Sequence, residues 1–184
     1  MAEHIEILDH LGRKTGKSKE RTQIHIDGDW HSSTHLWLID EKDRILLQKR
    51  SQAKLLYPGR YCPAVSGHIE FGSDPVATLI KEADEELGIA LTEDDFFLGG
   101  IIRGTDDVKM GDRVLKEREF VCTYITHKSF EVDLDRRDDE VDGFMWMEFE
   151  EFEKLAQSRS SKLVPMHEVY ALICSYVDSN STRK

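Results

Sequence analysis

The stretch SGHIEFGSDPVATLIKEADEELGI, residues 66–89, decides how the rest of this chain is read. Asp74-Pro75 opens a helix, with Asp74 as N-cap and Pro75 at the first helical position, and Gly88 closes it after Leu87. Val76, Leu79, Ile80, Ala83 and Leu87 keep one helical stripe, which predicts a face turned to a core. Glu82, Glu85 and Glu86 stand at i, i+3 and i+4, so three carboxylates crowd the opposite face. A solvated surface is the ordinary outcome of such a run. The upstream loop Ser66–Gly72 shifts that expectation, because its glycines allow a tight turn back toward the helix. Oxygen ligands on one rigid element suit a hard cation such as Mg²⁺ or Mn²⁺.

Working outward, Ile5–Asp9 reads as a short strand followed by a basic turn, Arg13-Lys14-Thr15-Gly16-Lys17. Ser18 is the expected cap of a short helix ending near Gly28. Ser33–Ile39 and Arg44–Gln48 read as the arms of a hairpin turned by Asp40–Asp43. Further strands are expected over Phe96–Arg103, Glu119–Thr126 and Gly143–Glu148, then helices over Phe149–Gln157 and Pro165–Val177. Val169, Leu172, Ile173 and Tyr176 form a helical stripe for packing or for a homodimer contact. The pattern is α/β (α+β): a mixed β-sheet packed between helices. Residues 1–30 read as an N-terminal extension packed on one domain, 31–178, with 179–184 as a disordered tail.

At 184 residues the chain is long enough to bury a core without disulfide or metal staples. No apolar run approaches the ~18 residues of a membrane span, and Met1–His10 lacks the pattern of a secretory leader. A cytoplasmic location is the expectation. The net charge of -11 opposes capture by nucleic acid polymers or anionic membranes. A small anionic ligand must then meet a local cluster of cations or a bound metal. Cys62, Cys122 and Cys174 are odd in number and far apart, so free, mostly buried thiols are expected.

Residues 67–89 resemble the box of the Nudix family, G-x5-E-x7-R-E-U-x-E-E-x-G-U, with U an aliphatic residue. Gly67, Glu82, Ala83, Glu85, Glu86, Gly88 and Ile89 fall in register. The resemblance implies a Nudix fold in which Glu82, Glu85 and Glu86 carry Mg²⁺ or Mn²⁺ on a small-molecule diphosphate while a base activates water. Ser73 stands at the box's first Glu and Lys81 at its Arg, which implies a rebuilt ion pair, with Glu70 as the substitute acid.

Leu8–Leu91 is also similar to the isopentenyl-diphosphate-isomerase-like branch of that superfamily, through its Gly-Lys-Ser-Lys, Leu-Leu-Gln-Lys-Arg, Tyr-Pro-Gly and Ser-Gly-His elements. The likeness places His25, His31, His68, Glu117 and Glu119 in a second metal site, for Zn²⁺ or Mn²⁺. His25 and His31 stand one residue closer than in the isomerase pattern. Glu117 and Glu119, at period two, point to one side of a strand. Arg50, Lys54 and Gly67 are the implied diphosphate-binding residues, with Lys49 and Arg103 as lesser cations, and Glu140 is the base candidate. Ser66 occupies the isomerase's catalytic Cys position, and a hydroxyl is a far weaker acid than a thiol. Trp30, Trp37, Tyr57 and Trp146 are candidates for stacking on the substrate or for the core.

The resemblance therefore implies a hydrolase of a diphosphate linkage, in a nucleoside diphosphate derivative or a prenyl diphosphate. Two other readings stay open: a Nudix-fold binding or regulatory module with weak or no turnover, and an isopentenyl-diphosphate isomerase.

Overall fold

Two short paired strands begin the described chain, which comprises residues 3–135 and 139–181 of a computed structural model. β1 (His4–Leu8) and β2 (Lys14–Glu20) form a two-stranded antiparallel sheet. Ser18 lies inside this ladder opposite Glu6, which corrects its expected role as a helix cap. The segment satisfies its backbone against β1 before it can coil. Helix α1 (Arg21–Asp27) is capped instead by Glu20, whose carboxylate accepts the Thr22 N–H at 3.3 Å. Gly28 ends α1 as expected, in the left-handed region at φ 75°.

There follow β3 (His31–Leu38), β4 (Ile45–Arg50), β5 (Tyr61–Pro63), β6 (Val65–His68) and α2 (Pro75–Glu82). The chain then runs through β7 (Phe97–Met110), β8 (Arg113–Thr126), β9 (Val141–Met147), α3 (Phe149–Gln157) and α4 (His167–Ser181). One sheet has the order β6-β3-β8-β7 and another the order β5-β4-β9. The first is mixed, as expected, because β3 is parallel to β8 and antiparallel to β6.

The turn Asp40–Asp43 forms, with the Asp40 N–H donating to the Arg44 carbonyl at 3.0 Å. The expected hairpin does not. After the bridge Ile39↔Ile45 the two strands part into different sheets, since each is paired on both edges by other strands. The β7–β8 hairpin outruns its expected ends at Arg103 and Glu119 and stays in register to Met110↔Arg113. Its outer part is mostly polar, with Val108, Met110, Val114 and Leu115 as its few apolar residues.

Asp74 caps α2 as expected, accepting the N–H groups of Val76 and Ala77 at 2.9 and 3.0 Å. Leu79, Ala83 and Leu87 are buried with Leu36, Leu38 and Val65, so the apolar stripe faces a core. On the opposite side of the sheets Trp37 meets Phe152 and Tyr170 edge-on, with centroids 5.7 and 5.9 Å away. Such ring pairs contribute about 0.5–1.5 kcal/mol each beyond area burial, and these two pin α3 and α4 to β3. Val169, Ile173 and Val177 pack in the same cluster. α4 runs through Ser181, into the stretch expected as tail, and residues 182–184 lie outside the described ones. All three cysteines are free, and Cys62 and Cys122 are buried. Among the described residues no helix is long and apolar enough to cross a membrane.

Gly28 allows the turn that returns the chain from α1 toward β3, and a Cβ there would stand 2.7 Å from the Lys116 side chain. Gly28→Ala is expected to cost about 1–2 kcal/mol, read as a lower urea midpoint with an unchanged m-value.

Candidate active site and metal centre

Five ionisable side chains from four elements converge where β3, β6 and β8 lie side by side. Register places His31 opposite Glu119 and Ser33 opposite His68. Glu117 and Glu119 share one side of β8 by alternation, and α1 adds His25. The ring centroids of His25 and His31 are 4.9 Å apart, and His68 lies 5.3 Å from each. The three rings thus meet despite the closer spacing of His25 and His31, with the Gly28 turn between those two residues.

The ring orientations are held from outside the cluster. His25 Nδ1 contacts the Arg21 carbonyl at 2.6 Å and His31 Nδ1 the Asp29 carbonyl at 3.0 Å. A carbonyl can only accept, so each Nδ1 carries the proton and each Nε2 keeps its lone pair for the centre. His25 Nε2 lies 3.4 Å from Glu117 Oε1, while His31 Nε2 and His68 Nε2 each lie 3.4 Å from Glu119 Oε1. Burial drives the His68 imidazole down to about 4, which keeps it neutral. Burial opposes ionisation of Glu119, yet its close contacts with His31 and His68 hold its carboxyl well below the usual range. His31 Nε2, His68 Nε2 and Glu117 Oε1 are buried without a hydrogen-bond partner. Ligand atoms of His25, His31 and His68, and of His31, Glu117 and Glu119, lie within 4.8 Å of one another. Imidazoles and carboxylates that converge with unmet ligand atoms fit a divalent transition metal.

Contrary to what its spacing predicts, the second carboxylate set does not share one uniform helix face. Beyond Glu82 the helix widens into a π-helical turn, Ala83–Leu87, a distortion frequent at functional sites. Glu86 is buried there at 9% exposure, whereas the Glu85 side chain is 57% exposed. Glu86 accepts the Ser66 N–H at 3.1 Å. Burial pushes its carboxyl up to about 8, against the opposing hydrogen bonds from Ser66 and Gln48. Burial also raises Glu82. Gly67 makes room for Glu82: a Cβ at that position would fall 2.6 Å from Glu82 Cγ.

The implied ion pair is present in altered form. Lys81 Nζ lies 3.3 Å from Glu70, 3.9 Å from Glu82 and 3.7 Å from Glu85. Ser73, at the acid's place, contacts Thr78 Oγ1 at 3.2 Å.

Glu82, Glu86, His25, His68, Glu117 and Glu119 all border one cavity of about 530 Å³. Arg50, Lys54, Gly67 and Glu140 border it too. His31 sits fully buried behind that wall and Glu85 outside it. Lys54 is paired with Glu140 at 2.7 Å, so the expected cation and the expected base touch. Arg50 Nε donates to the Leu56 carbonyl at 3.1 Å, fixing the loop that follows β4. Asp138, which precedes Asp139 and Glu140 in an acidic stretch of the sequence, lies outside the described residues. Of the aromatics only Tyr57 reaches the cavity; its hydroxyl donates to Asp106 on β7. Trp37 is core, and Arg103, expected as a lesser cation, instead covers the Trp30 ring at 4.2 Å.

Arg21 and Gln48 also line the cavity and went unread in the sequence. Gln48 carried a signal, a lone amide following the apolar run Ile45-Leu46-Leu47. Arg21 carried none, because its place depends on α1 folding over β8.

A family model described as the NUDIX domain matches residues 29–167. Nudix hydrolase 3 of Arabidopsis thaliana is 39% identical over 95 residues, 51% of this chain and 12% of that protein. An uncharacterised Nudix hydrolase of Clostridium acetobutylicum is 29% identical over 163 residues, 85% of this chain and 75% of that one. An isopentenyl-diphosphate Delta-isomerase of Photorhabdus laumondii is 28% identical over 97 residues, 52% of this chain and 54% of that one. Among solved structures, the Deinococcus radiodurans protein DR0079 superposes with a TM-score of 0.67 at 14% identity, over 92% of this chain and 98% of its own. A MutT protein from Methanosarcina mazei gives 0.58 at 15%, over 84% and 96%. At such identities these structures share the fold alone.

Two outcomes follow from the geometry. With a folded-state value near 8 against an ordinary 4.5, Glu86 binds its proton more tightly when folded. Its contribution to stability is therefore full below pH 4.5 and lost as pH rises toward 8. In metal-free protein Glu86→Gln should flatten that decline, seen as a higher melting temperature than wild type at pH 8 and little difference at pH 5. His68→Ala should weaken Zn²⁺ or Mn²⁺ binding by more than the roughly 10–100-fold that outer-shell changes cost, measured by competition with a chromogenic chelator.

Proposed function

Because the chain belongs to the Nudix family, we propose that it hydrolyses a diphosphate linkage in a small molecule, a nucleoside diphosphate derivative or a prenyl diphosphate. The observation that carries this reading is the single cavity bordered by Glu82 and Glu86, by the histidine cluster, and by Arg50 and Lys54. Divalent ions bound there would neutralise the diphosphate and acidify an attacking water. The protein's own part is positional. Glu82 and Glu86 offer oxygen ligands to the cavity, Glu85 adds one from the same helix outside it, and the Ser66 N–H holds Glu86 in place. Arg50 and Lys54 offer the diphosphate charge-assisted hydrogen bonds, and Glu140, beside Lys54, is the proton acceptor. The Lys81–Glu70 pair supports turnover over a binding module, since it restores a cation anchored against the loop despite Ser73.

The histidine cluster favours one second reading, isomerisation of a five-carbon diphosphate, for which Ser66 is a poor acid.

The test is ³¹P NMR of nucleotide-sugar, dinucleotide, nucleoside triphosphate and prenyl diphosphate substrates in ¹⁸O water with Mg²⁺. New phosphorus signals are expected with wild type and a loss of about 10²-fold or more with Glu86→Gln. Silence throughout, with substrates still binding, would favour the binding module; proton exchange from solvent without phosphate release would favour the isomerase.

A further inference from the structure

The cavity is bordered by residues of both larger sheets, and one stretch of chain reaches across from the first to the second. Residues 52–59 connect β4 to β5, both in the sheet β5-β4-β9. At the base of this strap the Arg50 N–H donates to the Arg60 carbonyl at 3.0 Å and the Ser51 N–H to the Glu140 carbonyl at 2.9 Å. Lys54, Leu55, Leu56 and Tyr57 of the strap border the cavity, as do Leu115 and Glu117 of β8. Register sets Asp106 of β7 opposite Glu117 and hence on the same face of the mixed sheet. There the Tyr57 hydroxyl donates to the Asp106 carboxylate.

Polar contacts, not burial, hold the strap down. None of residues 52–59 is buried, and Leu55 is 62% exposed, so lifting them uncovers little apolar surface. Their side chains reach other parts of the fold through Lys54 on Glu140, at 2.7 Å, and Tyr57 on Asp106. Asp106 is the fixed half of the second contact. Arg118 donates to its carbonyl at 3.0 Å and to the Asp107 carboxylate at 2.6 Å. Tyr57 is the strained half. Its φ of 52° lies in the left-handed region, which is uncommon for a bulky residue, and Pro58 after it favours extended backbone at this position. Such strain persists where the surroundings over-determine it. Here they do so through Asp106 and through the Arg60 guanidinium, 5.2 Å from the Tyr57 ring centre. A segment with few buried contacts belongs to the low end of local stability.

We infer that Tyr57 and Asp106 are the clasp of this strap, and that its release opens the cavity for a ligand to enter or leave. Loss of a hydrogen bond to a charged group shifts such an equilibrium by roughly ten- to a hundredfold. Access is a property of the protein alone, so the clasp goes beyond the diphosphate-hydrolase reading and does not depend on it.

Cys62 reports on the strap. It borders the cavity at 2% exposure, with Arg50 and Lys54 near its thiol. Cys122 is buried in the core shared with α2 and controls for general loosening. Alkylation by iodoacetamide is followed residue by residue with peptide mass spectrometry, on wild type, Tyr57→Phe, Asp106→Ala and the double variant. Each single substitution is expected to speed Cys62 labelling by about tenfold or more, with Cys122 unchanged. The double variant should be no faster than the faster single one, since both remove one contact. Asp106→Asn, which keeps an acceptor oxygen, should fall between wild type and Asp106→Ala. Unchanged Cys62 labelling in Tyr57→Phe, additive effects in the double variant, or a parallel rise at Cys122 overturns the inference. Labelling needs no turnover, so a failure of hydrolysis and a failure of the clasp are seen separately.

Discussion

Strand β3 is hydrogen-bonded along both edges, parallel to β8 and antiparallel to β6, and that double registration is the constraint on which the site depends. A slip of one residue on either side would turn every side chain to the opposite face. His31, Ser33 and His35 would then point away from Glu119, His68 and Ser66. Registration of this kind needs apolar anchoring, and the same strand provides it further along. Leu36 and Leu38 lie buried against α2 and its π turn, and Trp37 against α3 and α4. The half of β3 that packs thus holds in place the half that carries chemistry.

Charge is arranged on the same economy of scale. The whole chain carries -11, yet the cavity gathers Arg21, Arg50, Lys54 and Lys81 around its carboxylates. Most of these cations already have a partner acid: Arg21 with Glu3, Lys54 with Glu140, Lys81 with Glu70. An incoming anion would exchange partners within an existing network, so the cost of leaving a charge unpaired in a shielded place is avoided at each step. Glu119 and Glu86 respond differently to their surroundings. Glu119 is held ionised by two imidazoles, whereas Glu86 has only N–H dipoles to face and takes up a proton. Environment, not residue type, separates them.

The features legible in the chain were those set by local chemistry. Asp74, Pro75 and Gly88 mark the ends of α2 and its extension through capping and a left-handed turn, effects that reach only a few residues. The two candidate metal-ligand sets and Gly67 were visible through family resemblance, and all of these residues but His31 and Glu85 border one cavity. What escaped was set by distant parts of the chain. Ser18 and its neighbours have no helical or strand pattern strong enough to decide, and pairing with β1 decides for them. The hairpin read around Asp40–Asp43 failed because turn chemistry specifies the reversal of direction, not the strands' eventual neighbours. Burial of Glu86 and exposure of Glu85 follow from a π turn and from Ser66 on another strand, neither of which spacing on an ideal helix contains.

His25 lies outside the stretch, 29–167, that matches the family, whereas Glu117 and Glu119 lie deep within it. An ion shared by these residues would be a crosslink between the N-terminal segment and the third strand of the mixed sheet, closing a loop that runs through most of the intervening chain. Closing so long a loop removes much of the freedom of an unfolded chain. It also binds the first thirty or so residues to the domain's fate. With the ion in place they would resist proteolysis and fraying as part of the core, and without it they would open as a separate, weaker cooperative unit.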